Sequence, residues 1–559
     1  MSRPFHGRPA SLVPLLVSVF VPLGMMTTLS CGEYELDIGV NLITTSCPDG
    51  DGEVDDALAH ASHLEFVISG DGLSEPLIST ASVEDGSAVI PGIPLAGLEP
   101  QTRLRIDVNA RTGRGPHDPI QARGGAVVSL DESMTAIEVP IFLRRLDRFN
   151  YTASVHEPET CSVMNQARSG HTATSLMDGR VLIVGGSLND SQGRSVHASA
   201  ELFDPRTGEF QLLQGDAGPS QHRVFHTATL LRDGRVLVAG GERYLPGGSL
   251  RANRCAEIFD PATDTFGTPI DMTRARTRHT ATAVAGDIVV LAGGYLDPTP
   301  PTDGDHPHPT ETTELFFAND NGGKGAFEAG LDLPFARAEH CAVSTSSGGI
   351  LVLAGGKTLN GSDVEVAGTV RYLRVRSEER VVEVLGQQRG YDMRIGRHGL
   401  VCGVTRNHRD VEQIVIAGGF RRVFGPDEGV GEDDITANVE LFDSQSPQSL
   451  GDMPGGARGW LCAAQLGNVV AFMGGVGNDA LPRSTADLLL QEDTGPSLQL
   501  VQGRMKDGRI HHQCTSLLDG SILVTGGEYQ GEADVEQMHE GGGRYSLDTV
   551  EIYTPRRLQ

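Results

Sequence analysis

The chain has 559 residues and a formal net charge of −28, from 45 basic and 73 acidic side chains. That balance repels polyanions, so nucleic acid and an anionic membrane surface are disfavoured as partners. Gly is abundant at 71, aromatics are only 5% and a single Trp is present, which fits turn-rich strands and argues against a helical protein.

The N-terminus carries Arg3 and Arg8, then an apolar run from Ser11 to Met26 that is too short and too proline-broken to span a bilayer. It reads as a signal peptide over residues 1–30. The run ends at "TLSCGE", which resembles a bacterial lipobox with Cys31 as the lipidated first residue, although Thr28 departs from the aliphatic residue usual there. Gly32 next to that cysteine resembles an outer-membrane address. The resemblance implies an envelope protein held to the membrane by lipid, with residues 31–36 as linker. Asp49, Asp51, Glu53 and Asp55 in "PDGDGEVDD" offer carboxylates to calcium but lack the glycine and distal glutamate of an EF-hand.

Residues 37–146 alternate apolar and polar side chains in short runs such as "HLEFVIS", "TRLRIDVNAR" and "AIEVPIFL". Their order resembles the prealbumin-like or immunoglobulin-like β-sandwich modules of bacterial surface proteins, which implies a spacer. Between this region and the rest, "RFNYTASV" (Arg148–Val155) is a lone strand with no hairpin partner.

From residue 147 onward one unit recurs. "ARSGHTATSLMDGRVLIVGG" (Ala167–Gly186) returns as "HRVFHTATLLRDGRVLVAGG" and "ARTRHTATAVAGDIVVLAGG", and four weaker copies follow. Each holds two β-rich runs about a tight turn, such as Asp178-Gly179. Each double glycine is followed by a variable loop and then a motif like "SAELFDPRTGEF", a third strand, an Asp-Pro turn and a fourth strand. Double glycines begin at Gly185, Gly240, Gly293, Gly355, Gly418, Gly474 and Gly526, with steps of 55, 53, 62, 63, 56 and 52 residues. Repeats near 50 residues with four strands each are the pattern of radial β-propellers. The motifs resemble the kelch family in its bacterial form. The resemblance implies an all-β chain, a seven-bladed kelch β-propeller over 147–559. The seventh copy stops after its third strand, so Arg148–Val155 is expected to complete that blade and close the ring.

Two repeated positions read as architecture. Arg168, Arg223, Arg276, Arg337, Arg397, Arg458 and Arg509 precede the first strands, and are expected to bridge to neighbouring blades. Three residues later stand His171, His226, His279, His340, Leu400, Leu461 and His512; leucine at two of these positions favours packing over a metal ring. Cys341, Cys402, Cys462 and Cys514 lie in first strands and read as small core residues, while Cys47 with Cys161 is one candidate disulfide.

Function is expected on the long loops after the double glycines, which converge over one mouth of the central channel. Arg243, Tyr244, Tyr295, Phe420, Arg421, Tyr529 and the sole Trp460 are the candidate ligand-binding residues there, for a sugar or a protein partner. Asp303, Asp305, His306 and His308 in "DGDHPHP" are candidate metal ligands, with two prolines favouring a stiff solvated loop instead. No phosphate-binding, dinucleotide, metalloprotease or nucleophile-elbow motif is present, so no cofactor is expected. Galactose oxidase, a kelch-propeller enzyme, uses an adjacent Tyr-His pair at its copper; here Tyr391 precedes Asp392 and Tyr529 precedes Gln530, so its ligands do not carry over. The reading is therefore an exported binding protein, with a carbohydrate-active oxidase or isomerase and a structural envelope protein as alternatives.

Overall fold

The computed structural model describes residues 35–556, apart from short stretches of which the longest are 48–56, 97–101, 131–135, 245–249, 297–307, 386–391, 424–431 and 531–543. The protein is all-β, built from many small antiparallel sheets, and among the described residues no helix is long and apolar enough to cross a membrane.

The N-terminal unit holds a six-stranded sheet centred on His63–Gly70, Arg103–Arg111 and Ile120–Ser129, and a three-stranded sheet in which Glu35–Ile43 runs parallel to Ala136–Phe142. Alternation explains why both persist: Leu64, Phe66 and Ile68 project from one face, as do Leu104, Ile106 and Val108, into one core with Ile38, Val139 and Ile141. Each such side chain, fully buried, contributes about 1.5–3 kcal/mol. The unit sits on hairpin turns of the first and seventh copies. Arg103 donates to the Met177 carbonyl at 2.9 Å, and Arg105 to those of Leu518 and Asp519 at 2.8 and 3.0 Å. A cavity of about 530 Å³ lies at this joint, lined by His60, Arg145, Gln502 and Arg556 among others.

From residue 149 the chain forms seven sheets of the same plan. In the first, Thr172–Ser175, Val181–Val184, Ala200–Asp204 and Glu209–Leu213 pair in sequence order. The Asp-Pro turn is held by side chain as well as backbone, because Asp204 Oδ1 accepts from the Arg206 amide at 2.9 Å. The seventh sheet takes Gln513–Ser516, Ile522–Thr525 and Val550–Tyr553 from the C-terminus and Phe149–Tyr151 from the start, with Phe149 opposite Tyr553. The lone strand thus pairs where the sequence placed it.

None of these sheets has a core of its own. Second strands are buried on both faces, which is why they read as unbroken apolar runs. Leu182 and Val184 pack against the second sheet's Val236 and Val238, while Val181 and Ile183 pack against the seventh sheet's Leu523 and Ile552. The same division recurs at every junction, so seven apolar clusters form a cycle through all seven sheets. The glycine pair follows from the tight approach between sheets. Gly186 (φ 94) donates to the Arg223 carbonyl of the next copy at 2.8 Å, and a Cβ on Gly185 (φ 61) would collide with that carbonyl.

Candidate functional site

The arginines of the repeat are wholly buried, and each ties its own repeat together. Arg168 donates to the Gly185 carbonyl at 2.7 Å and the Ser199 carbonyl at 3.2 Å, and pairs with Glu201 at 3.0 Å. Arg223–Glu257, Arg276–Glu314, Arg397–Glu440, Arg458–Asp487 and Arg509–Glu551 repeat the pairing. This corrects the expectation that the guanidinium reaches a neighbouring blade. What crosses is the backbone carbonyl: Arg168 accepts from Gly527 of the previous copy at 2.8 Å.

The histidines make the lateral side-chain links. His171 Nε2 lies 2.8 Å from Thr525 Oγ1, and His226, His279 and His340 meet Thr172, Thr227 and Thr280 at 3.0, 3.1 and 2.9 Å. Burial lowers the pKa of His171 and His512 to about 3, and that of His226, His279 and His340 well below the usual value, so the rings are neutral. The first-strand cysteines pack in the shared cores, as read from the sequence, and they also bond laterally, which that reading did not include. Cys341–Cys402 and Cys462–Cys514 are disulfides with Cα atoms 5.9 and 5.7 Å apart, and Cys47–Cys161 is a third at 5.6 Å.

Between arginine and histidine stands a third ring, of Gly170, Phe225, Arg278, Glu339, Gly399, Trp460 and His511. All seven residues are left-handed, with φ from 50° to 62°. Successive members are joined by backbone hydrogen bonds, Gly170 N to His511 O at 2.9 Å, Phe225 N to Gly170 O at 2.9 Å, Arg278 N to Phe225 O at 3.2 Å, and onward through Glu339 and Gly399 to Trp460. For the non-glycine members this conformation costs on the order of 1–2 kcal/mol each. Strain of this kind concentrates at functional sites.

The ring's side chains differ from copy to copy and touch one another. The Arg278 guanidinium lies 3.8 Å over the Phe225 ring; His511 meets Phe225 edge-on at 5.2 Å and Trp460 at 4.9 Å; Trp460 packs on Phe420 at 4.6 Å. Glu339 accepts from His398 at 2.9 Å and from the Tyr295 hydroxyl at 3.4 Å, with Arg278 and Lys357 at 3.6 and 3.8 Å. Burial pushes the Glu339 carboxyl upward, but His398, Arg278 and Lys357 outweigh it and hold the pKa at about 2. Burial, with Arg278 and other cations, lowers His511 to about 3. Among the described residues, both His511 nitrogens and Trp460 Nε1 have no hydrogen-bond partner. The ring opens into a cavity of about 260 Å³, and a further one of about 320 Å³ outside it adds Arg194, Glu242, Glu528 and Arg544.

Around the mouth, segments after five of the double glycines stand up as two-stranded ribbons, such as Glu242–Tyr244 with Leu250–Ala252 and Phe420–Val423 with Glu432–Ile435. The sequence candidates are dispersed over this region. Trp460 lies in the ring, and Phe420 and Tyr295 are buried directly behind it. Arg421 grips Asp434 of its own ribbon at 2.6 and 2.9 Å, and Tyr529 faces Tyr545 at 6.0 Å across another. Arg243 is exposed and reaches Gln221 at 3.5 Å; Tyr244 pairs by backbone with Leu250, and its side chain lies outside the described residues. Cys31, the 48–56 loop, Asp303, Asp305 and His306 also lie outside them, and His308 is exposed. Phe225, Arg278, Glu339 and His511 were missed. Their signal was a position fixed in the repeat whose residue type changes at nearly every copy.

No family model matches the chain, and no curated protein matches it. Among solved structures, one titled "Structure of YjhT" aligns at 14% identity over 60% of this chain and 99% of that chain, with a TM-score of 0.44, a likeness too weak to carry an argument.

Proposed function

We propose that residues 147–559 form a seven-bladed kelch-type β-propeller carried on a β-sandwich module. The chain is exported and anchored at the cell envelope, in the outer membrane, through lipid on Cys31, and it binds a carbohydrate at the ringed mouth. The cycle of shared cores and the completion of the seventh sheet by Phe149–Tyr151 support the architecture. The observation that carries the function is the ring itself. Its backbone is identical in all seven copies, yet five positions hold Phe225, Arg278, Glu339, Trp460 and His511 at an energetic cost.

The chemistry supports binding over proton transfer. With a pKa near 2, Glu339 is a fixed anionic acceptor; with a pKa near 3, His511 is a neutral imidazole and a weak base at neutral pH. Aromatic faces beside a charged donor and a charged acceptor suit the apolar faces and hydroxyls of a sugar. A protein partner is the second reading, favoured by the ribbons that widen the rim beyond a sugar's footprint. A glycan array read with wild type, Trp460→Ala and Glu339→Gln tests this: binding that both variants abolish is expected, and binding unaffected by either would reject the site. No glycan binding together with peptide-array binding would move the reading to the protein partner. Stoichiometric copper in the purified protein would revive an oxidase, and palmitate incorporation that persists in Cys31→Ser would remove the anchor.

A further inference from the structure

Six of the seven repeats set a carboxylate against the buried arginine, on the third strand: Glu201, Glu257, Glu314, Glu440, Asp487 and Glu551. That carboxylate has a second task. It accepts a backbone N–H from the residue three before the arginine, as Glu201 does from Asn165 at 2.7 Å, Glu257 from Ser220 at 2.8 Å, Glu314 from Thr273 at 2.6 Å, Glu440 from Arg394 at 3.0 Å, Asp487 from Gly455 at 2.9 Å and Glu551 from Lys506 at 3.1 Å.

The fourth repeat breaks both halves of this arrangement. Arg371 stands where the carboxylate should be, paired across the strands with Leu353 as Glu201 is with Ile183. The residue three before Arg337 is Pro334, which has no N–H to offer. Arg337 is only 1% exposed. Its Nη1 reaches the Gly355 carbonyl at 3.4 Å and its Nη2 the Thr369 hydroxyl at 3.1 Å, while its Nε has no partner among the described residues. Among the described residues no carboxylate pairs with it, and burial, with Arg371 adding to it, lowers its pKa to about 10. Arg371 itself donates to its neighbour Val370 O at 2.9 Å and lies 3.6 Å from the exposed Asp392 and 5.6 Å from the half-exposed Phe335 ring. A buried guanidinium facing a second cation, with an unused donor, is a state that proteins relieve by taking up a counter-charge.

We propose that Arg337 and Arg371 hold a small monovalent anion, of chloride or formate size, in the place that the repeat elsewhere fills with its own carboxylate. Arg371 and Phe335 line its route from solvent. The anion takes charge-assisted hydrogen bonds from Arg337 Nε and from the Arg371 guanidinium, and it stabilises the fourth sheet by binding only the folded chain.

The test is thermal unfolding of the full chain at constant ionic strength, in sodium gluconate, whose anion is too large for the place, with chloride or formate titrated in. A saturable rise in Tm of about 1–3 °C is expected. Chloride acting alone identifies a spherical site, and formate acting alone identifies a planar carboxylate site; both are versions of the proposal. Arg371→Glu restores the pattern of the other six copies. It should raise Tm in gluconate and abolish the anion increment. A wild-type Tm indifferent to both anions, or an increment that survives in Arg371→Glu, would overturn it. Should that variant not fold, crystals of the wild type soaked in bromide decide the matter: an anomalous peak beside Arg337 Nε is expected, and bromide only on the outer surface, an adventitious ion only, contradicts the site.

Discussion

Two rings lie two residues apart in every repeat and could hardly differ more. The arginine ring keeps its residue in all seven copies and hides it completely. The ring from Gly170 to His511 keeps its backbone, with φ near 55° throughout, and varies its side chains. A residue repeated with its partners belongs to the scaffold. A conformation repeated with changing residues is a set of addressable positions that the scaffold presents. The fourth repeat, where Arg337 is kept and its partner is Arg371, is the one place where the first rule is bent.

The comparison breaks entirely if the circle does not close, and that gives the largest expected effect. Deleting Arg148–Val155 removes Phe149 and Tyr151 from the seventh sheet and opens an edge beside Tyr553. Tm should fall by more than about 10 °C in a melt followed by circular dichroism, since each buried aromatic truncated costs about 3–5 kcal/mol. An unchanged melt would sever the link between the strand and the ring.

The arginine ring predicts an asymmetry between copies. Arg276→Met leaves Glu314 buried and uncompensated, and should cost about 3–5 kcal/mol in denaturant unfolding. Arg337→Met removes a cation that has no carboxylate, and should cost far less in gluconate buffer. Equal losses at the two sites would erase the distinction.

The lateral histidines give a pH dependence. Their folded pKa values lie below the unfolded value near 6.5, so the unfolded chain binds more protons and stability falls as pH drops below 6.5 toward 3. Each should contribute a slope of about 1.4 kcal/mol per pH unit between pH 6 and 5. His340→Leu, the exchange already present at Leu400 and Leu461, should flatten the slope by one histidine's share; an unaltered slope would mean the ring is already protonated in the fold.

The smallest effect sharpens the second ring. Phe225→Gly, following Gly170 and Gly399, relieves a left-handed strain of about 1–2 kcal/mol and loses the stacking of Arg278, so stability should change by less than about 1 kcal/mol. A large loss would make Phe225 a packing residue and not a presented one.

How much of this the sequence showed follows the same division. Strands, turns, the double glycine and the completing strand were legible because one physical need is written seven times. The acid in "AELF" recurs in six of the seven copies, but partnership between Arg168 and Glu201 depends on how a strand folds back, which spacing does not display. The disulfides Cys341–Cys402 and Cys462–Cys514 span 61 and 52 residues, about one repeat each, so the signal was equal position in adjacent copies and not a cysteine motif. Phe225, Arg278, Glu339 and His511 were invisible to motif reading because variation is their defining property. Arg421 and Tyr529 drew notice as charged or aromatic loop residues, and both are engaged within their own ribbons.

The central claim, that this ring is the binding surface, has a direct readout because Trp460 is the only tryptophan of the chain. Titrating the intrinsic emission with any glycan or peptide that calorimetry shows to bind should shift or quench it with the calorimetric Kd, and Glu339→Gln should weaken both signals together. A ligand that binds by calorimetry and leaves the Trp460 emission untouched would place the site elsewhere and contradict the account.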